Sequence, residues 1–262
     1  MTTVSNVSIG ARMAGAAAAK ARHGMNEAIA RLSTGKRSMY GGDAGGQSIA
    51  NEVKAAGLSY AVAAGNAEVG ISVAQTAESA LMELASLAQR LRELGILADN
   101  AAFHTSEDTS AMDAEALAIT EAMENIMTET KFNDVNVINT SQVSLAVGAT
   151  DAGDTTTITL TALTDPSATQ TADGGTAAAD TALGEINKNL GEAAAAMTAL
   201  KARQAVAYST ASNLLAAASR LEETDFASSS ANLAKFSILN QSAMAMVAQA
   251  NQAQSAVLAV LQ

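Results

Sequence analysis

The chain has no cysteine, no tryptophan, one proline in 262 residues and only 3% aromatics. The missing cysteine excludes a disulfide framework and any Cys-based metal centre. Two histidines, His23 and His104, lie in different segments. No paired His spacing exists, so a zinc site is not expected. Basic residues are also scarce: 15 Lys and Arg against 26 Asp and Glu leave a net charge of −11. That balance excludes the clustered cationic surface that nucleic acids and anionic membranes require. The hydrophobic share is nevertheless 48%, carried mainly by alanine. A chain this rich in Ala and poor in Pro and aromatics favours long, closely approaching helices. Residues 1–11 carry no charge and no apolar core follows Arg12, so no cleaved signal peptide is expected.

What is present is spacing. Val4, Val7, Ala11, Ala14, Ala18, Ala21, Met25, Ala28 and Leu32 step by three and four, which places them on one helical seam. A second seam runs from Ile49 through Val53, Ala56, Tyr60, Ala63 and Ala67. It slips phase near Gly70 and resumes with Ile71, Ala74, Leu81, Leu84, Ala88 and Leu91. DNAAFHTSED breaks it. Thr105 or Ser106 can then cap a third helix with Glu107 and Asp108 in its first turn, and Met112, Ala116, Ile119, Met123 and Ile126 as its seam. Residues 131–180 turn to Thr, Asp, Gly and Asn. Val143, Leu145 and Val147 alternate, as do Ile158, Leu160 and Ala162, around GATDAGD, which predicts a β-hairpin. The 3,4 spacing returns from Leu183 to Leu221 with one polar member, Gln204. From 237 to 262 there is no charge, yet the many Asn and Gln argue against a membrane span and for a helix buried against protein.

These elements define a mainly α fold: a long coiled-coil helical hairpin with a small β-hairpin insertion. Its segments are 1–35, a glycine-rich connector at 36–48, helices over 49–130, a variable region at 131–180, a helix over 181–223 and a terminal helix over 224–262. GGDAGGQS at 41–48 is one letter short of a phosphate loop, but Gln47 stands where the lysine belongs and a helix, not a strand, precedes it. Gly41, Gly42, Gly45 and Gly46 are therefore expected to form a joint. Glu222–Glu223 reads as solvated charge. No nucleophile and base share a motif, so no catalytic residue, metal or cofactor is assigned.

The chain resembles bacterial flagellin. The resemblance rests on RLSTGKR at 31–37, GISVAQTAESAL at 70–81, QRLREL at 89–94, Lys131-Phe132-Asn133, SRLEETDFA at 219–227 and AQANQAQSAVLAVL near the end. It implies a structural subunit that polymerises with itself into an extracellular filament for swimming, its terminal helices lining an inner tube. The tube seams would be Val4, Val7 and Ala11 in the first arm, and Phe236, Ala243, Val247, Ala250, Val257 and Leu261 in the last. It further implies the flagellar type III export apparatus, an export chaperone, and hook-associated and cap proteins as partners. Toll-like receptor 5 is a further implied partner, at a patch of Arg90, Leu94 and Glu115 that serves equally as a subunit-packing surface. A hook–filament junction protein and a soluble coiled-coil adaptor are the competing readings.

Overall fold

The structure, a computed structural model, describes residues 2–37, 43–148, 154–165 and 171–261. The side chains of 2–8, 101, 257, 258, 260 and 261 lie outside that description. Five helices dominate: α1 (Thr2–Thr34), α2 (Ala44–Ala98), α3 (Ser106–Glu129), α4 (Gly175–Glu222) and α5 (Phe226–Leu261). Two short hairpins, β1 (Lys131–Phe132) with β2 (Val135–Asn136) and β3 (Val143–Gly148) with β4 (Thr155–Leu160), lie between α3 and α4. The chain divides into two compact units, one of residues 1–55 and 214–262, the other of 56–213.

The second unit has a bulky core. Leu81, Leu84 and Leu91 of α2 meet Met112, Ile119 and Met123 of α3 and Ile186 of α4. Each such side chain withdrawn from water stabilises by about 1.5–3 kcal/mol. The seams expected from spacing are the buried faces here, including the stretch after the phase slip at Gly70. α2 nevertheless stays one unbroken helix across Gly70. That glycine is where the β3–β4 hairpin comes close: a Cβ on Gly70 would lie 2.8 Å from Val147 and 3.0 Å from Leu200. The start of α3 is fixed as the sequence indicates. Thr105 accepts from the Asp108 N–H while Asp108 accepts from the Thr105 N–H, a reciprocal capping box.

Two features were not legible beforehand. Asn133 and Asp134 both take positive φ, 49° and 63°, which closes β1–β2 as a two-residue hairpin. Beyond β4 the chain no longer pairs with a strand. Glu192 of α4 instead accepts the Thr161 N–H and hydroxyl at 2.8 Å each, and Glu185, one heptad earlier, accepts the Thr164 N–H at 2.6 Å and hydroxyl at 2.7 Å. Asp113 of α3 takes the Ala172 N–H at 2.7 Å. Three carboxylates thus do for the amides of Thr161, Thr164 and Ala172 what a neighbouring strand does elsewhere. Ala162, expected at the end of the second strand, falls in this clamped segment.

Other expectations are corrected. Ile49 is 54% exposed and Ala50 takes the buried place. The fully buried polar residue of α4 is Asn189, whose amide donates back to the Glu185 carbonyl, while Gln204 is only half-buried. α4 begins at Gly175, before the expected 181, because Gly95 and Gly175 let it close on α2. A Cβ on Gly95 would overlap the Thr176 backbone, and one on Gly175 would stand 3.2 Å from the Leu91 carbonyl.

Candidate self-assembly surfaces

The first unit is built the other way round. α1 and α5 pack against each other, and the buried apolar positions between them are Ala14, Ala18, Ala21, Ala28 and Ala243. Of the seam residues expected to form a tube, Ala11, Phe236, Val247 and Ala250 are half-buried and Ala243 is buried. The side chains of Val4, Val7, Val257 and Leu261 lie outside the described residues. Small seam residues permit close approach. At Gly24 the Phe236 ring fills the place of a side chain, since a Cβ there would meet ring atoms at 2.6–2.7 Å.

Many of the larger apolar side chains point elsewhere. Ile9, Met13 and Ile29 of α1 and Phe226, Ile238, Leu239, Met244 and Met246 of α5 are all exposed, Met13 by 69%. So many large apolar side chains in solvent point to an interaction surface, since monomers rarely leave large apolar patches uncovered. The pair therefore fully buries mainly alanine and displays methionine, isoleucine and leucine. No helix among the described residues is long and apolar enough to cross a membrane.

A tie joins the ends of the two arms. Gly35, at φ 69°, ends α1 by donating to the Arg31 carbonyl. Its own carbonyl accepts the Thr224 N–H at 3.0 Å, and Arg37 N–H donates to the Glu222 carbonyl at 2.8 Å. Lys36 pairs with the Glu222 carboxylate, with Lys54 at 3.9 Å on its other oxygen. Glu222 was expected as solvated charge, yet its side chain is only 16% exposed. Neighbouring it, Asp225 caps α5 by accepting from Ala227 and Ser228 N–H at 2.9 and 3.0 Å.

The glycine joint is shorter than expected. Gly41 and Gly42 lie outside the described residues, and Gly45 and Gly46 belong to the first turn of α2. Asp43, at φ 57°, precedes that helix, pairs with Arg37 and accepts the Gly46 N–H at 3.0 Å. A Cβ on Gly46 would overlap the Asp43 carboxylate, so glycine there serves a cap rather than a bend.

Hydrogen bonding to Lys36, then the charges of Lys36 and Lys54, hold the Glu222 carboxyl below its ordinary value. The unfolded chain has the ordinary value, about 4.3. The stabilisation is therefore complete above that value and is lost as pH falls through the lower, folded one. Glu222→Gln is expected to lower stability at pH 7 and to match the parent in strong acid. Urea titrations between pH 7 and pH 3 check this; a gap that persists in acid would contradict the tie.

The Arg90 patch separates into two layers. Arg90 bonds Glu115 at 2.7–2.8 Å and Glu93 at 2.9 Å on the exposed surface, and these bonds raise its pKa. Leu94 is 2% exposed and belongs to the core. Periodicity alone could have found this, since Leu94 follows Leu84, Ala88 and Leu91 on the same stripe. A surface contact through the Leu94 side chain is not available in this fold.

No group of three or more His, Asp or Glu capable of holding a metal occurs among the described residues. An apolar cavity of about 410 Å3 lies between α2 and the two hairpins. Val69, Gly70, Phe132, Val135, Leu145 and Val147 are among its lining. It brings together no nucleophile and base.

A family described as the bacterial flagellin N-terminal helical region matches residues 6–143, and the bacterial flagellin C-terminal helical region matches 176–261. A flagellin of Halalkalibacterium halodurans is 33% identical over 250 residues, covering 90% of this chain and 91% of the relative. The flagellar filament 33 kDa core protein of Treponema phagedenis is 29% identical, covering 88% and 90%. A flagellin of Listeria monocytogenes is 27% identical, covering 89% and 90%.

Proposed function

The chain belongs to the bacterial flagellin family, and from that premise we propose that α1 and α5 are the part of this subunit that builds the tube of the filament. A flagellin is a structural protein rather than an enzyme, and its filament is an extracellular polymer of one chain that serves motility. The observation that carries the finer reading is the inverted pair: α1 and α5 bury five alanines while Ile9, Met13, Ile29, Ile238, Leu239, Met244 and Met246 stand exposed. Copies of the same chain cover those side chains in the polymer. The seam runs along Ala11, Phe236, Ala243, Val247 and Ala250, continued by Val4, Val7, Val257 and Leu261. The lack of charge from 237 onward suits a wall in which every side of the helix meets protein or a narrow aqueous bore.

The remaining partners belong to the same reading. A type III export apparatus and an export chaperone receive a chain whose arms are weakly ordered before assembly. Hook-associated and cap proteins meet the two ends of the polymer. Toll-like receptor 5 would meet the Arg90–Glu115 surface without the Leu94 side chain. Helical reconstruction of the polymer tests the central point. α1 and α5 are expected at the innermost radius, with Met13, Ile238 and Met246 against neighbouring copies. Finding these side chains in solvent would remove the proposal.

A further inference from the structure

Sulfur in this chain is confined to methionine, because cysteine is absent. With no tryptophan either, the thioethers are the groups that an oxygen-transferring oxidant converts first. Their placement among the described residues is uneven. Met112, Met123, Met127 and Met197 are buried in the second unit, where packing shields the sulfur. In the first unit, Met13 of α1 and Met244 and Met246 of α5 are each more than half exposed. Met82 is the exposed methionine of α2. A groove of about 260 Å3 runs beside Met246, lined also by Gly10, Ala14, Gln249, Ala250 and Ala253. It is open at Gly10, where a Cβ would meet nothing within 4 Å. Solvent and small solutes therefore reach the arm methionines, whereas the core methionines are closed to them.

We propose that Met13, Met244 and Met246 are oxidation sites, and that their conversion to sulfoxide in the free subunit stops its addition to the filament. The inference rests on the filament reading and goes beyond it, because it names a chemical state of the arms in which assembly ceases. The oxidant is a peroxide. The sulfur lone pair attacks one peroxide oxygen, the O–O bond breaks, and the departing hydroxide takes the proton of the transferred oxygen and leaves as water. Sulfur gives up two electrons and the peroxide is reduced. The product replaces a flexible apolar side chain by a polar, chiral one. That matters on this surface because neighbouring copies cover it. A sulfoxide oxygen buried there without a donor opposes the burial that orders the arms. The change is reversible: a methionine sulfoxide reductase, drawing two electrons from a dithiol, returns the thioether and water. Once assembled, the same sulfurs are covered, so the filament itself resists the oxidant that blocks its growth.

Hydrogen peroxide is the probe, added to free subunits or to assembled filament and then destroyed with catalase. Peptide mass mapping locates the added oxygen, and elongation on untreated fragments reads the effect. Free subunits are expected to gain oxygen at Met13, Met82, Met244 and Met246 before the four core methionines, and to elongate about tenfold more slowly. In the filament the three arm methionines should react about tenfold more slowly than in the free subunit. A chain carrying Met13→Leu, Met244→Leu and Met246→Leu keeps the side-chain volumes. It retains every other methionine and should elongate equally before and after peroxide. Treating the oxidised parent with both sulfoxide reductases and dithiothreitol should restore its rate, a result that needs no substitution. An oxidised parent that elongates at its original rate overturns the proposal, as does a triple variant slowed as much as the parent or a parent that reduction fails to rescue. Each of these leaves the filament reading standing. Untreated parent subunits that fail to elongate remove both readings, as do arm methionines that oxidise equally fast in subunit and filament.

Discussion

A chain lacking residues 1–35 and 226–262 is expected to lose elongation on filament fragments entirely while still unfolding cooperatively when heated. The two halves of this result have separate causes. The removed segments are α1 and α5, whose mutual seam is alanine. A buried methyl contributes about 0.8 kcal/mol, whereas ordering the backbone costs about 1–2 kcal/mol for each residue. Such a pair is marginal alone and gains its order from neighbours that cover Met13, Ile238 and Met246. Without it there is nothing to add to the fragment end. The unit from 56 to 213 keeps Leu81, Leu84, Leu91, Met123 and Ile186 together, and those contacts do not involve the arms. Circular dichroism and light scattering on the same sample separate the two outcomes. A trimmed chain that elongated normally would place the tube elsewhere in the sequence. One that no longer melted cooperatively would show that the second unit borrows stability from the first.

Leu94→Ala is expected to cost about 2–5 kcal/mol, the range for deleting a buried leucine side chain. Leu94 is 2% exposed among Leu91, Ala98 and their neighbours, so the change leaves a void rather than a trimmed surface. For a unit of this size a loss of 1 kcal/mol moves the melting temperature by about 2–4 °C. Arg90→Ala, at the exposed pair with Glu115, should leave the melting temperature nearly unchanged. The two substitutions therefore part a surface role from a packing role one helical turn away. Differential scanning calorimetry decides it: equal, small shifts for both would mean that Leu94 is not held in the core as described. Any loss of receptor stimulation by Leu94→Ala should then follow the folded fraction, and only Arg90→Ala should reduce it at full stability.

Spacing carried much of this fold because the helices bury one stripe each. Ala14, Ala18 and Ala21, then Leu81, Leu84 and Leu91, were legible as seams from the 3,4 step alone, and each is buried. A cap at Thr105 or Ser106 was legible because a hydroxyl before an acidic first turn satisfies helix N–H groups in any context, and Thr105 is the one that serves. What stayed hidden depends on contacts between distant residues. Glu222 looked like a solvated acid until Lys36 and Lys54 came beside it. Glycine at 45 and 46 signalled a bend, yet the Asp43 cap outweighs its low helical preference. Leu94 matched a family surface motif while its own periodicity placed it inward. The exposed residues of α1 and α5 could not be told from core residues in sequence, because both are apolar. Only burial shows which side is already occupied.

The glutamate clamps on Thr161 and Thr164 carry a consequence for solution behaviour. A hairpin such as β3–β4 invites strands from other molecules wherever its edge offers free N–H groups. At the exit of β4, Glu192 and Glu185 already hold the next two threonine amides. A foreign strand growing past Leu160 would have to displace two carboxylates and would find acidic side chains where it needs carbonyl partners. At the high local concentration of a growing filament, this end of the hairpin is thus closed to sheet-type stacking.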